Sequence, residues 1–405
     1  MPSYWQLSPS PPTAGADAIV VGAGIAGVSA ALALERRGLD VVVLERQTIA
    51  SGASSRAAGF LMRGAAENYA LAVDHYGREV ARTLWRWTEE NLDGLRREGV
   101  ESLPSYRRIP SCLLALEPLE LAELKRSVGL LREDGFKVEW VERGEDAVWK
   151  RAAGARGGFP PLGGLLNPAD GSANPFELVR FLAGKLKRPV FEGEEVHAIE
   201  GGSGGQVAVR TFDRTFTAPR VLLCTNAYLS LLLPAYGGLI QPRRGQMLAL
   251  RAPGVRLDCS YYANHGYEYF RQTPDGTVVV GGRRRQFAER EVGYEDRPTG
   301  EVQSALESFA RDAMGLGPGP LEIVARWAGI MGFSPDGLPL IGPLRGDWPE
   351  GSVWLCSACT GHGMSLSYRS AQAAVDALLD GGATPFALSR LKESGITAPG
   401  APPLG

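Results

Sequence analysis

Apolar and polar positions along this chain follow two different periods. Residues 18–21 (AIVV) are a short apolar run, GAGIAG follows, and VSAALALERRG then carries apolar residues at helical spacing as far as Gly38. Residues 41–44 (VVVL) are a second apolar run, so 18–45 predicts a strand, turn, helix and strand, parallel and right-handed as such connections are. SGASSRAAGFL is too rich in small residues to pack as an element and predicts a loop. Helical spacing returns near 76–97 and 118–133, with a strand-like SCLLALE at 111–117. Asn174-Pro175 predicts a capped start for the helix FELVRFLAGKL. Residues 194–199 (EEVHAI), 206–210 (QVAVR) and 221–224 (VLLC) predict strands.

Between 240 and 282 the period shortens: GQMLALR, EYFRQ, a Pro274-Asp275-Gly276 turn and TVVVGG predict hairpin strands of a different sheet. A helix near 299–313 separates them from WAGIMGFSPDGLPLIG at 327–342. The last strand, SVWLC, runs into the glycine turn of TGHG and the helix MSLSYRSAQAAVDALLD. The two ends thus share one character and the middle another. The expectation is an α/β fold in which a Rossmann-like domain is assembled from 1–75, 150–228 and 322–392. An α+β domain with an antiparallel sheet, from 76–149 and 229–321, is inserted, and 393–405 form a C-terminal tail.

Composition narrows the partners. At 405 residues and 44% apolar the chain can bury two cores, and a formal charge of -2 gives no footprint for nucleic acid or an anionic membrane. The run Arg283-Arg284-Arg285 reads as a solvated face. The Pro- and Ser-rich start lacks the basic and apolar parts of a signal peptide, and Val221 to Ile240 is too interrupted to span a membrane. A cytoplasmic location is expected, with the five cysteines reduced. Only six of the 43 basic residues are lysines, and none lies between 187 and 392.

The glycines Gly22, Gly24 and Gly27 satisfy G-x-G-x-x-G between a strand and a helix. They serve a tight turn, close approach of the backbone to a pyrophosphate, and close packing of helix on strand. Opening amides and the helix dipole favour phosphate there. Glu45 ends the second strand, where a carboxylate can accept both ribose hydroxyls of an adenosine and repel a 2'-phosphate. These features leave NAD and FAD both open.

Further pieces resemble the D-amino acid oxidase-like superfamily of FAD-dependent oxidoreductases, which includes glycine oxidase and sarcosine oxidase. They are VVGAGIAG with Glu45-Arg46, SGASSRAAG, DGSANPFELV, VLLCTNAY, PRRGQML, SPDGLPLIG and CTGHGMSLSY, in the family's order over nearly the whole length. SYW at 3–5, GASSRAAG and TNAY are most similar to the gamma-glutamylputrescine oxidoreductase branch. The resemblance implies FAD at Gly22, Gly24, Ile25, Ala26, Gly27, Glu45 and Arg46. It places Gly52, Ala53, Ser54, Arg56, Ala58 and Gly59 along the pyrophosphate and flavin. It also implies backbone contact of Val196 with adenine, and places Gly332 with the turn Gly361, His362, Gly363 and Met364 at the flavin. It implies an enzyme that oxidises the carbon-nitrogen bond of an amine or amino-acid-like substrate to an imine, by hydride transfer, with oxygen or another acceptor reoxidising the flavin.

Departures from the family pattern matter. Relatives that bind flavin covalently use a histidine or a cysteine where Arg56 and Gly329 stand here, so noncovalent FAD is expected. Met331 occupies the position of an arginine that grips the substrate carboxylate in glycine and D-amino acid oxidases, leaving Arg63 or Arg271 as possible substitutes. The lysines on which sarcosine oxidases rely are absent from the long lysine-free interval. The catalytic candidates are His362, Tyr269 and Arg271, the last two sharing one strand face, with Arg63, Tyr261 and His265 behind them. No general base is expected, because the cofactor carries the chemistry. His362 can equally be a packing residue. Cys356 and Cys359 have redox spacing but end a strand, and no cluster has metal-ligand spacing. An electron-transfer subunit of a heteromeric dehydrogenase and an NAD-binding protein are the competing readings, and a homo-oligomer or heteromeric partner is compatible with each.

Overall fold

In the computed structural model, residues 13–65, 67–142 and 161–393 are described. The strands Ala18–Val21 and Val41–Glu45 are buried at every position, as their unbroken apolar runs require of strands covered on both faces. They lie in a six-stranded sheet ordered Leu340–Pro343, Val353–Ser357, Val221–Leu223, Ala18–Val21, Val41–Glu45 and Phe191–Glu192. All its pairings are parallel except that of Leu340–Pro343 with Val353–Ser357. The helices Ile25–Arg36 and Gly363–Asp380 pack on each other, both rich in small buried residues, among them Ser29, Ala30 and Ala31 on one and Ser370, Ala371 and Ala374 on the other. Small side chains let two helix axes approach closely.

A second sheet of four strands runs Thr13–Gly15, Thr215–Ala218, Val207–Arg210 and Ala198–Gly201. The expected strand at 194–199 starts only at Ala198, because the Glu194 amide donates to the Glu45 carbonyl of the six-stranded sheet at 2.9 Å. Residues 195 and 196 cross from one sheet to the other, so Val196 precedes the strand and does not lie in it.

The eight-stranded sheet runs Glu322–Phe333, Gln241–Arg251, Thr277–Gly282, Glu268–Gln272, Ser260–Ala263, Ser111–Ala115, Gly163–Asn167 and Glu139–Glu142. The hairpin about Pro274-Asp275-Gly276 forms as expected, with Glu268–Gln272 antiparallel to Thr277–Gly282. The sheet is not wholly antiparallel: Ser260–Ala263 runs parallel to Ser111–Ala115, joining the central hairpins to the strands that precede them in sequence. Alternation sorts its two faces. Leu248, Leu250, Tyr261, Phe270, Val278 and Val280 share a core with helix Gly300–Met314, and Met247, Tyr262, Tyr269 and Val279 share another with Phe60 and Met62.

The chain divides into two compact units. One comprises residues up to Ser55, Leu178–Pro242 and Met331 onward, and carries the six-stranded sheet. The other comprises Arg56–Glu177 and Arg243–Ile330 and holds most of the eight-stranded sheet. Residues 56–75 and 161–177, expected with the nucleotide-binding segments, thereby group with the second unit. Arg271 accounts for part of this, its guanidinium donating to the carbonyls of Ala58 and Ala173. Among the described residues no helix is long and apolar enough to cross a membrane.

Within the second unit, fully buried Asp170 accepts bonds from the Arg63 backbone and side chain and from the Ser111 hydroxyl. Burial nevertheless pushes its carboxyl up to about 6. A folded-state value above the ordinary one stabilises the fold below the unfolded value, and that contribution is lost as pH rises through about 6. Replacing Asp170→Asn should therefore flatten the fall in stability between the two values, worth roughly 1.4 kcal/mol per pH unit, in denaturant unfolding run from pH 4 to pH 7. Parallel wild-type and variant profiles would contradict this.

Candidate functional site

In the first unit the glycine turn is closed by its own backbone. A Cβ on Gly27 would lie 1.8 Å from the Gly22 carbonyl oxygen, so no other residue lets the helix start this close to the strand. Gly22 has φ +103, and a Cβ there would meet the Cys224 carbonyl at 2.7 Å. The helix that follows has Gly24 at its N-cap with no side-chain cap, and the Ile25 amide donates instead to Ser54 Oγ at 3.0 Å. Ser54 stands in a single helical turn, Ala53–Arg56, where a loop is expected from the sequence. Nothing lies within 4 Å of where a Cβ on Gly52 would stand, leaving room for a ligand beside the backbone.

Glu45 is buried, and each of its carboxylate oxygens accepts one backbone bond, from Ala23 and from Gln47, both at 2.9 Å. A carboxylate oxygen has two lone pairs, so each retains acceptor capacity for a ribose hydroxyl. Arg46 stacks over the Tyr228 ring at 3.9 Å. A strand end with a fixed acid, a helix start with glycine at its N-cap and glycines where a Cβ would collide have the shape and chemistry a dinucleotide requires.

The turn before the last helix is strained. Ala358, Thr360 and Gly361 have φ +59, +43 and +83, and a β-branched residue in this region is a genuine outlier. The turn is held by Thr360 N–H to Gly332 O at 3.2 Å and His362 N–H to Cys359 O at 2.8 Å. Gly332 is buried, and a Cβ there would meet Asn226 Oδ1 at 2.5 Å. Backbone strain of this kind costs on the order of 1–3 kcal/mol per residue and clusters at functional sites. His362 Nδ1 lies 3.3 Å from the Thr360 carbonyl, and burial lowers its pKa, which keeps the imidazole neutral at neutral pH. Gly363 opens the helix and Met364 is buried within it. Met331 presents its sulfur to this turn, 3.5 Å from the Cβ position of Gly361.

Cys356 and Cys359 belong to the packing of the same turn. A hydrogen bond with Cys224 and burial raise the Cys356 pKa, and burial pushes Cys359 up to about 12. Both remain thiols, the unreactive form. Among the described residues no group of three or more His, Cys, Asp or Glu could hold a metal ion.

The second unit carries the remaining candidates, and it separates them. Tyr269 and Arg271 do share a strand face, but differ in what they meet. The guanidinium of Arg271 is 3% exposed and donates to the Ala58 and Ala173 carbonyls, so it fixes two backbone segments and does not present a cation to a substrate. Gly59, at φ +78, must be glycine because a Cβ would strike the Ala173 oxygen at 2.1 Å and Arg271 Nη2 at 2.6 Å. Arg56 donates to Asp296 at 2.7 Å and to the Ala328 carbonyl at 2.9 Å, and its side chain fills the space beside Gly329, whose Cβ would lie 2.7 Å from that of Arg56. Arg63 is likewise committed, to Asp170 and Glu89. Tyr261 is fully buried and stacked on Phe270 at 5.1 Å, and the His265 amide is held by Glu120 in a turn. Arg63 and Tyr261 are thus taken up by packing and ion pairing, while His265 Nδ1 lies 3.4 Å from Glu123.

Tyr269 is half-buried in an aromatic cluster with Phe60, Tyr262 and Trp327. Its ring lies 5.6 Å from that of Tyr262, its direct cross-strand partner. Burial pushes its phenol up to about 12, so it stays protonated as a donor. Tyr262 was not singled out from the sequence. The aromatic alternation of SYYANHGYEYF about the Asn-His-Gly turn is the signal that could have found it.

Comparison with known proteins fits this geometry. The profile of the FAD dependent oxidoreductase family (DAO) matches residues 17–377. Glycine oxidase of Geobacillus kaustophilus is 27% identical over 335 residues, covering 80% of this chain and 84% of that protein. Gamma-glutamylputrescine oxidoreductase of Escherichia coli is 26% identical over 395 residues, covering 91% of this chain and 85% of that protein. Among solved structures, L-proline dehydrogenase from P. horikoshii superposes with TM-score 0.77 at 19% identity, covering 95% of this chain and 99% of that one, a likeness of fold. With 17–377 matched and the glycine turn, acid and strained turn in place, the chain belongs to the DAO family of FAD-dependent oxidoreductases.

Proposed function

We propose that this enzyme takes two electrons from the carbon-nitrogen bond of an amine or amino-acid-like substrate, leaving an imine that hydrolyses, with FAD held noncovalently. The observation that carries the reading is the glycine turn at Gly22–Gly27 with Glu45 beside it, whose close approaches and fixed acid suit the adenosine end of a dinucleotide. Two relatives of similar length, a glycine oxidase and a gamma-glutamylputrescine oxidoreductase, support an amine substrate. Bound here, FAD supplies the two-electron acceptor for that oxidation.

The residues of this chain bind and orient. Gly24, Ile25, Ala26 and Gly27 offer the helix start to the pyrophosphate, Glu45 takes the ribose hydroxyls, and Arg46 with Val196 lies on the adenosine side. Gly52, Ala53 and Ser54 give the pyrophosphate a small-residue backbone wall, with Arg56, Ala58 and Gly59 following in the same loop. Gly332 supports the turn at Gly361, His362, Gly363 and Met364, whose amides and helix dipole stabilise negative charge developing on the ligand. His362, neutral at neutral pH, orients rather than transfers a proton. The phenol of Tyr269 donates a hydrogen bond to substrate from an apolar surround, and Arg271 keeps that surround rigid.

The reading is tested by anaerobic mixing of the yellow holoprotein with amines, polyamine conjugates and cyclic or N-methylated amino acids. Bleaching near 450 nm by at least one is expected, and no bleaching by any would overturn it. Acid precipitation should leave the yellow colour in the supernatant, since neither Arg56 nor Gly329 can form a bond to the ring. Colour kept in the pellet would refute noncovalent binding. Substitution Glu45→Gln removes the charge from two ribose hydrogen bonds and should weaken FAD binding about tenfold, measured by flavin titration of the apoprotein.

The rate of flavin reduction should rise with pH as the amine loses its proton. In the variant His362→Asn that rise should persist and the plateau should fall by less than about tenfold, below the 10²–10⁴ expected of a general base. Loss of the pH-dependent limb, or a larger fall, would make His362 a proton acceptor.

A further inference from the structure

Strand Glu322–Phe333 stands at one end of the eight-stranded sheet, with Gln241–Arg251 as its neighbour on the inner side. Its middle is taken up by the interior: Ala328 and Ile330 are buried, and the Trp327 indole donates to the Arg56 carbonyl at 3.0 Å. Its beginning is not. Val324, Ala325 and Arg326 are exposed in succession, Val324 at 51%. Neighbouring residues of a strand point to opposite faces, so three exposed in a row leave both faces uncovered there. An end strand of this kind offers unpaired amides and carbonyls to another strand, and proteins usually blunt it with proline, a bulge or charge. Proline is absent from 322–326, and a β-branched pair, Ile323 and Val324, stands beside its centre.

The order of the residues says which strand fits. The segment reads Glu-Ile-Val-Ala-Arg, with opposite charges at equal distances from Val324. Paired antiparallel with a copy of itself about Val324, it sets Glu322 of each copy opposite Arg326 of the other, Ile323 opposite Ala325, and valine opposite valine. Opposite charges and β-branched residues across strands are favourable pairs, whereas like charges are not. Every contact is reciprocated, as a two-fold interface requires. A parallel pairing in register would instead set glutamate against glutamate and arginine against arginine.

The charges have partners within the chain that leave room for this. Glu322 lies 3.5 Å from Arg251, both more than half exposed, and such a pair contributes little in water. Arg326 donates to Glu307 at 2.7 Å and to Gln303 at 2.9 Å, and a guanidinium has further donors to give.

We propose that residues 322–326 are a docking edge for a second copy of this chain, the two copies pairing antiparallel about Val324 so that their eight-stranded sheets join edge to edge. The surface is separate from the residues that bind cofactor, and its use does not depend on which substrate is oxidised.

So short a strand pair buries less than a standard interface of about 1,600 Å², so a reversible dimer of roughly micromolar affinity is expected in sedimentation of the holoprotein. Glu322→Arg and Arg326→Glu each set like charges opposite one another twice, and each should weaken the dimer at least tenfold. The double variant Glu322→Arg/Arg326→Glu should recover most of the wild-type affinity. Within one chain the double change sets like charges beside both Arg251 and Glu307, so recovery has to come from the pairing between copies. Val324→Cys, opposite itself at the two-fold, should link two chains through a disulfide on mild oxidation where the wild type does not. Flavin content and circular dichroism of each variant report that the fold is kept. A wild type that stays monomeric to hundreds of micromolar, a dimer indifferent to both single reversals, or a double variant as weak as the singles would overturn the proposal.

Discussion

The closeness of helix to strand at the first glycine turn is the constraint on which the first unit depends. The Gly22 carbonyl occupies the space where a side chain on residue 27 would begin, at 1.8 Å from its Cβ position. That fixes the start of helix Ile25–Arg36 against strand Ala18–Val21, with the Ile25 amide donating to Ser54. The helix also packs on Gly363–Asp380, both being rich in small buried residues, and Arg37 at its end pairs with Asp376 and Asp380. Exposed ion pairs of that kind contribute little, so the arrangement rests on packing and not on charge. Glu45 is held by two backbone amides, so its carboxylate is placed before any ligand arrives.

In the second unit the ordering agent is alternation along the strands. One face of the eight-stranded sheet shares a mainly apolar core with helix Gly300–Met314, with buried Gln246 bonded to Thr299 and Gln303 at the helix start. The other is covered in part by Phe60 and Met62, and there the tyrosines stand half-buried with their phenols protonated. The segment that covers it stays in register because Gly59 leaves room for Arg271 to reach two carbonyls. A buried arginine paired only with neutral acceptors is costly, and burial lowers its pKa to about 10. Its return is positional: the 58–60 segment and Ala173 are anchored to the same strand that presents Tyr269.

Local features of this fold were legible in the sequence, while features that depend on distant segments were not. The strand, glycine turn, helix and acid of 18–45 lie within one stretch, and each residue type there answers a local requirement. The hairpin about Pro274-Asp275-Gly276 is legible for the same reason. The parallel pairing of Ser260–Ala263 with Ser111–Ala115 is not, since it joins strands about 150 residues apart and alternation is indifferent to direction. Val196 follows apolar alternation that continues through a crossover between two sheets, where the hydrogen bonds change partner at Glu194. The shared face of Tyr269 and Arg271 was readable from their spacing, but the carbonyls that claim Arg271 come from residues 58 and 173.

The preference for arginine over lysine then acquires a structural meaning. Arg271 bridges two carbonyls, Arg56 joins a carboxylate to a carbonyl, and Arg244 meets both oxygens of Glu291 while also reaching the Glu295 and Arg290 carbonyls. Each task needs several donors in a fixed plane, which the rotating ammonium of lysine does not provide. Guanidinium groups also stay charged when partly desolvated, so burying them fixes charge within the protein instead of discarding it. Sequence position alone does not distinguish these uses from solvated charge, as the run at 283–285 demonstrates. Adjacent arginines there differ in burial and partner: Arg283 faces the Glu268 carboxylate, Arg284 is half-buried and Arg285 is exposed, the last two near the Tyr267 ring.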